Sequence, residues 1–278
     1  MRAETLLRDG DPDAALAALS DAVRDAPQEA RLRVFLFQLL CVQGDWPRAI
    51  QQLRTAATLD PKAGTMAQMY RAAIICERQR EEVFAGQRAP MVLGEPDDWI
   101  AALIEALKLH AHKEYAAAEE LRGRAFEAAP ALPGTLDGAP FGWIADADPR
   151  LGPICELIVN GRYYWAPFSA IHRIILEPPA DLRDRVWMPA TVQWGNGGSD
   201  LALIPTRYPG SATSPDPRHR LSAATGWQME GDRVLGGLGQ LLLATDTGEC
   251  ALMDLRELTI GPAPATLEVS QSDEARHG

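Results

Sequence analysis

Gly10-Asp11-Pro12-Asp13-Ala14-Ala15-Leu16-Ala17-Ala18-Leu19 opens a pattern that returns 34 residues later as Gly44-Asp45-Trp46-Pro47-Arg48-Ala49-Ile50-Gln51-Gln52-Leu53. At that offset Ala15 maps to Ala49, Leu19 to Leu53, Ala22 to Ala56 and Pro27 to Pro61. The matched positions are those a helical hairpin needs. They are a small turn residue, a small Ala where two helices cross closely, a core Leu, and a Pro that ends the second helix.

Thirty-four residues is the tetratricopeptide (TPR) period, so the first half reads as a TPR-like array. Two further periods from Ala49 and Leu53 land on Ala117 and Leu121, and the closing proline falls one residue late, at Pro130. Residues 63–96 depart from the template apart from one amphipathic helix. The helices are expected at Asp13–Asp25, Glu29–Val42, Trp46–Leu59, Thr65–Ala85, Asp97–His110 and Lys113–Ala128. Asp11-Pro12, Asp45-Trp46-Pro47 and Glu95-Pro96-Asp97 supply acidic caps or first-turn prolines. Helix Glu29–Val42 is apolar on more than one face, which predicts that it is sandwiched between neighbours.

Near residue 135 the sequence changes character. Pro130-Ala131-Leu132-Pro133-Gly134-Thr135 breaks the helical pattern, and beyond it short apolar runs alternate with turn residues. Asn160-Gly161 between Ile154–Val159 and Arg162-Tyr163-Tyr164-Trp165 is a hairpin signal. Further strands are expected at Ile171–Leu176, Val186–Trp194, Asp200–Ile204, Leu241–Thr245 and Glu249–Asp254, with a tight connection at Gly195-Asn196-Gly197-Gly198. The fold class is α+β. A TPR-like helical domain over 1–134 precedes a mainly-β domain, a twisted sheet or partial barrel, over 135–261, and the composition of 262–278 predicts a disordered tail.

Composition excludes several functions. A chain of 278 residues with 46% hydrophobic and 23% charged residues can bury a core without disulfides or metal. Its net charge of −11 argues against nucleic acid or an anionic membrane as partner. Cys41, Cys76, Cys155 and Cys250 form no C-x-x-C, and neither a signal peptide nor a long apolar span is present, so a reduced, cytoplasmic protein is expected.

Candidate chemistry is thin. His110 and His112 are two apart on a helix and face different ways, which suits a solvated helix end better than a metal site. Gly236-Gly237-Leu238-Gly239-Gln240 lacks the Lys-Ser/Thr of a phosphate loop and reads as a tight turn feeding the sheet. Asp146-Ala147-Asp148-Pro149-Arg150 reads as a salt-bridged loop capping the strand at Ile154. Trp143, Trp165, Trp187, Trp194 and Trp227 read mainly as core, with Arg162, Tyr163, Tyr164 and Trp165 the one cluster suggesting a recognition surface. No catalytic triad, paired-carboxylate signature or Rossmann fingerprint appears, and no cofactor or metal is expected.

Asp146-Ala147-Asp148-Pro149-Arg150-Leu151-Gly152-Pro153, Asn160-Gly161-Arg162-Tyr163-Tyr164-Trp165-Ala166-Pro167-Phe168, Leu182-Arg183-Asp184-Arg185-Val186-Trp187-Met188-Pro189-Ala190, Pro205-Thr206-Arg207-Tyr208-Pro209-Gly210-Ser211 and Gly237-Leu238-Gly239-Gln240 together resemble the ImpE (SciE-type, TagJ) accessory proteins of bacterial type VI secretion. The resemblance covers about residues 140–255, and the helical array fits it as well. It implies a non-enzymatic cytoplasmic adaptor that binds the N-terminal helix of the small contractile-sheath subunit, with a link to the AAA+ ATPase that recycles contracted sheath.

A TPR-like stack offers a concave face to an amphipathic helix. With Ala49 and Ala117 as crossing positions, that face runs through Val34, Gln38, Cys41 and Val42, and through Trp99, Ala102, Ala106 and Leu109. Packing of these residues on the middle helix is the competing expectation. Two other functions stay open: a homo-oligomeric scaffold whose groove is filled by another copy, and an enzyme using His172 with Asp146 and Asp148.

Overall fold

The computed structural model describes residues 1–94 and 97–261, so the expected tail at 262–278 lies outside the described residues. The helical half comprises α1 (Arg2–Arg8), α2 (Pro12–Asp25), α3 (Ala30–Val42), α4 (Trp46–Leu59), α5 (Gly64–Phe84), α6 (Asp98–Ala111) and α7 (Tyr115–Ala128). A further short helix, α8 (Pro217–Arg220), lies in the second half. Helix α1 was not among the expected elements. Asp11 and Asp45 accept from the backbone N–H groups of Ala14 and Arg48, satisfying donors that the helix starts leave free. Ala15, Leu19, Ala49, Leu53 and Ala56 are all buried, as the repeat demands.

The third hairpin, α6–α7, carries a register correction. The turns α1–α2 and α3–α4 each place a glycine in the left-handed region, Gly10 at φ 80° and Gly44 at φ 70°, directly before the N-cap. In the third hairpin Lys113 takes that place at φ 65°, 69 rather than 68 residues after Gly44. The true counterparts of Ala49, Leu53 and Ala56 are therefore Ala118, Arg122 and Ala125, all buried, while Ala117 is exposed and Leu121 only partly buried. One extra residue ahead of the turn explains why the closing proline falls one residue late, at Pro130.

The strands are β1 (Met91–Val92), β2 (Gly134–Leu136), β3 (Ala139–Phe141), β4 (Ile144–Asp146), β5 (Ile154–Val159), β6 (Arg162–Pro167), β7 (Ile171–Leu176), β8 (Trp187–Trp194), β9 (Ser199–Pro205), β10 (Thr225–Glu230), β11 (Arg233–Gly239), β12 (Leu242–Thr245), β13 (Gly248–Ala251) and β14 (Glu257–Ile260). Nine form one sheet in the order β1-β6-β5-β9-β8-β7-β14-β2-β3, antiparallel except for β1 on β6. The second half is thus mainly β and unclosed, and the fold is α+β. Asn160 (φ 50°) and Gly161 (φ 72°) make the two-residue turn between β5 and β6, and Gly195–Gly198 joins β8 to β9.

Two expectations are corrected here. Gly236–Gly239 is not a turn but part of β11, paired with β10. An added Cβ on Gly237 would lie 2.2 Å from the Tyr208 ring, so packing selects glycine within that strand. Strand β13 ends at Ala251, three residues before the expected Asp254, because Ala251 O starts a turn that receives Asp254 N.

Alternation along the strands builds two apolar layers. Ile158, Tyr163, Trp165, Trp187 and Leu203 face the helices and merge with Leu36, Phe37, Leu40, Trp46, Tyr70 and Ile74 in one cluster. Leu157, Val159, Ala166, Met188, Ala202 and Ile204 face the other way, into a second cluster with Leu241, Leu243 and Leu252 under the small β13-β12-β4 sheet. Element type changes at residue 134, but packing crosses that line, since β1 from the helical half pairs with the sheet and the first cluster spans both halves. Helix α3 is buried without a break from Leu36 to Val42, sandwiched as its apolar faces predict.

Candidate docking groove

The seam between helices and sheet holds a sealed polar network. Arg80 of α5 donates from Nε to Glu156 Oε1 at 2.7 Å and from Nη2 to Oε2 at 2.5 Å. Tyr163 OH donates to the same Glu156 Oε1, and Trp165 Nε1 donates to Tyr163 OH at 2.8 Å. Burial alone would lower the Arg80 pKa, but the carboxylates of Glu156 and Glu77 outweigh it and raise it. Glu77 accepts from Trp187 Nε1 at 2.9 Å, and burial lifts its pKa. An aromatic chain, Phe37–Tyr70–Trp187–Trp46, crosses the same seam with centroids 5.7–6.0 Å apart.

Most residues expected to contact a partner are used up in this packing. Tyr163 and Trp165 are 2% and 0% exposed, so of that cluster only Arg162 is exposed and Tyr164 partly so. On α3, Cys41 and Val42 are fully buried and Gln38 nearly so, because the Arg207 guanidinium and the 182–185 turn close over the end of the helix. Trp99 and Ala106 are buried as well, while Ala102 and Leu109 remain partly buried. The expectation of one continuous concave face through all eight is therefore corrected. The third hairpin lies one residue out of the 34-residue register, and Cys41, Val42 and Trp99 pack in one cluster with the sheet residues Trp165 and Trp187. Val34 keeps access, beside Gln38 in a shallow depression with Arg31 and Phe35.

The remaining chemistry is also structural. Asp148 holds Arg150 through Nε at 3.0 Å and Nη2 at 2.5 Å and accepts from Gly237 N at 2.8 Å. Burial would raise the Asp148 pKa, but Arg150 overrides that and lowers it. Asp146 is pushed the other way by burial and by Asp148, and it accepts from Tyr208 OH at 3.0 Å. His172 Nδ1 lies 3.2 Å from Ile260 O, and among the described residues no hydrogen bond joins it to either aspartate. His110 packs against Tyr115 with the two rings tilted, His112 Nδ1 lies 2.8 Å from Lys108 O, and no metal-holding group of His, Cys, Asp or Glu occurs among the described residues. Trp165 and Trp187 are core, Trp194 donates to Asp200 Oδ2 at 2.7 Å, and Trp143 and Trp227 are exposed, against the expectation of core.

One open apolar site was missed by sequence reasoning. Helix α5 lies across β6 and β5 on the helix-side face of the sheet, leaving part of β9, β8 and β7 bare beside it. There Leu203 pairs with Pro189, Leu201 with Thr191, and Thr191 with Ile175, so these side chains share one face. With Met69 and Ala72 of α5, Ile158 and the Asn160-Gly161 turn, they line a groove of about 410 Å³ that also includes Glu177. Leu201 is 81% exposed and Met69 47%.

Residues 138–259 match the family model described as ImpE protein, and residues 6–74 match a tetratricopeptide repeat model. The chain is 51% identical over 265 residues to the type VI secretion system accessory component TagJ of Pseudomonas aeruginosa, covering 95% of this chain and 93% of that protein. The chain belongs to the ImpE/TagJ family. Among solved structures, the crystal structure of protein VPA1032 from Vibrio parahaemolyticus superimposes with a TM-score of 0.86 at 25% identity, covering 95% of this chain and 99% of that one. The likeness to that structure covers both the helical array and the sheet. Among the described residues, no helix is long and apolar enough to cross a membrane.

Proposed function

We propose that this protein is a cytoplasmic, non-catalytic accessory adaptor of type VI secretion. It holds the N-terminal helix of the small contractile-sheath subunit and assists handling of the sheath by the recycling AAA+ ATPase. The observation carrying this reading is the 51% identity to an accessory component of that system, running almost end to end in both chains. The tetratricopeptide half supports it, since such arrays are protein-binding scaffolds. The buried titratable groups support it too, because Glu77, Glu156, Asp146 and Asp148 are engaged by internal partners. None of them is offered to a substrate.

The test uses the full chain and the intact small sheath subunit in light scattering coupled to gel filtration. A complex that forms with the intact subunit and is lost when its N-terminal helix is deleted is the expected result. Equal binding without the helix, or none with it, overturns the reading. A dimer of this chain in the absence of any partner would favour a homo-oligomeric scaffold instead, with the exposed Leu201 and Met69 surface covered by a second copy.

A further inference from the structure

We infer that Arg122 of α7, where the helical array meets the 147–152 loop and β11, is the centre of a binding site for a single carboxylate group. In the first two hairpins the same position of the repeat is Leu19 and Leu53, both buried in the apolar core. The third hairpin puts a guanidinium there, and only 8% of Arg122 is exposed. Burying a cation without a partner is costly, and an apolar side chain would fill the position without that cost. The charge therefore serves something other than the packing of the repeat.

The neighbours of Arg122 define the site. Glu119, Arg122 and Phe126 lie on one stripe of α7. Glu119 Oε2 accepts from Arg233 Nε of β11 at 2.9 Å, and the Phe126 ring occupies the space that a Cβ on Gly152 would need. Between them, Arg122 faces the gap between β11 and the loop. The Arg150 guanidinium enters the same gap, since a Cβ on Gly236 of β11 would lie 2.4 Å from its Cζ. Burial, with Arg150 and Arg122, holds the His110 pKa down to about 4, which puts this imidazole beside the same two cations.

The acids at hand are already engaged. Arg150 holds Asp148 through Nε and Nη2, and Glu119 is held by Arg233, which also reaches Glu230 at 3.2 Å. Among the described residues Arg122 takes part in no hydrogen bond and no ion pair. Burial lowers its pKa, as expected of a cation short of compensation. Its nitrogens are nevertheless not sealed off from solvent, so a ligand can reach them.

Shape and charge choose the ligand. A guanidinium presents two parallel N–H donors that match the two oxygens of a carboxylate. One carboxylate brings the single negative charge that the unpaired Arg122 calls for, whereas a dianion would leave excess negative charge in a nearly closed site. The small opening admits a compact acid or the end of one slender side chain. A free organic acid and a glutamate of a protein partner share this chemistry.

The test is thermal melting of the full chain at neutral pH in sodium acetate and in sodium chloride of equal ionic strength. Acetate is expected to raise the melting temperature by about 2–4 °C over chloride, and Arg122→Met is expected to remove that increment. In chloride the variant should melt at or above the wild type, because a side chain of similar length replaces an unpaired buried cation. A capped Gly-Glu-Gly peptide in place of acetate separates the two sources: an equal increment assigns the site to a side chain of a protein partner, and an increment with acetate alone assigns it to a free acid. No acetate increment in the wild type, or the same increment in Arg122→Met, overturns the site. Should Arg122→Met fail to fold, the wild type decides alone. Acetate is expected to shift the NMR signal of the His110 ring saturably, and a signal that acetate leaves in place overturns the inference.

Discussion

Arg207 closes the C-terminal end of α3 from the far half of the chain, donating from Nη1 to Val42 O at 2.7 Å and from Nη2 to Cys41 O at 2.8 Å. The last carbonyls of a helix have no partner within it and form the negative end of its dipole, so a planar cation fits there in two ways at once. Burial lowers the Arg207 pKa to about 10, which leaves it charged at neutral pH. Arg207→Ala should destabilise the whole chain by about 3 kcal/mol, because buried carbonyls lose their donors. Arg207→Lys should recover less than half of that, since an ammonium cannot fork across two carbonyls. Urea denaturation followed separately at helical and aromatic signals checks both, and the two signals should still move together.

Arg80 neutralises two carboxylates in a site that excludes water, with Glu156 at 2.5 Å and Glu77 at 3.6 Å. Removing one partner of such a pair leaves uncompensated buried charge, so Arg80→Met should cost about 3–5 kcal/mol. Adding Glu156→Gln should return part of that loss. A double-mutant cycle measured in urea gives the coupling directly, and additive losses would show that the network is solvated.

Lys113 holds the left-handed turn that Gly10 and Gly44 hold in the other two hairpins. A side chain at φ 65° carries strain that glycine does not. Lys113→Gly is therefore expected to stabilise the protein by about 0.5–1 kcal/mol, despite the larger entropy of glycine in the unfolded chain. Thermal melting reads this as an upward shift, and a downward shift would mean that the turn is relaxed.

His110 couples stability to acid. Burial, aided by Arg150 and Arg122, lowers its pKa to about 4 from 6.5. The unfolded chain therefore takes up this proton first as pH falls. The stability that neutral His110 contributes is complete above 6.5 and is lost between 6.5 and about 4. His110→Phe, which keeps an aromatic ring against Tyr115, should make the fall in melting temperature across that window shallower than in the wild type. Parallel slopes would contradict the assignment.

The helical half was legible because its signals are long and redundant. Asp11 and Asp45 cap the helices they announce, and two buried positions, Ala15/Ala49 and Leu19/Leu53, repeat at one spacing. The third unit was harder, since Lys113 stands where a glycine would have marked the turn. Strands of six or more residues such as β5, β6 and β7 were visible in their apolar runs, whereas β1, β2, β3, β4 and β14, of two to four residues, carry too little pattern to read. Strand β11 is hard to read because Gly236 and Gly237 are poor strand formers, and glycine is required there by the close approach of Arg150 and Tyr208. The groove was illegible for a different reason. Met69, Ile158, Ile175 and Leu201 come from four separate elements, and in sequence Leu201 is one more apolar residue in a strand.

The most direct test of the adaptor account places a photo-crosslinking benzoylphenylalanine at position 201 and, in a second protein, at position 34. Each is irradiated in complex with the intact small sheath subunit. The account predicts a cross-link from position 201 to the apolar face of the subunit's N-terminal helix, with little from position 34. A cross-link only from position 34 would move docking to the depression on α3. Cross-links to other parts of the subunit, or none from either position, would contradict helix capture by this protein.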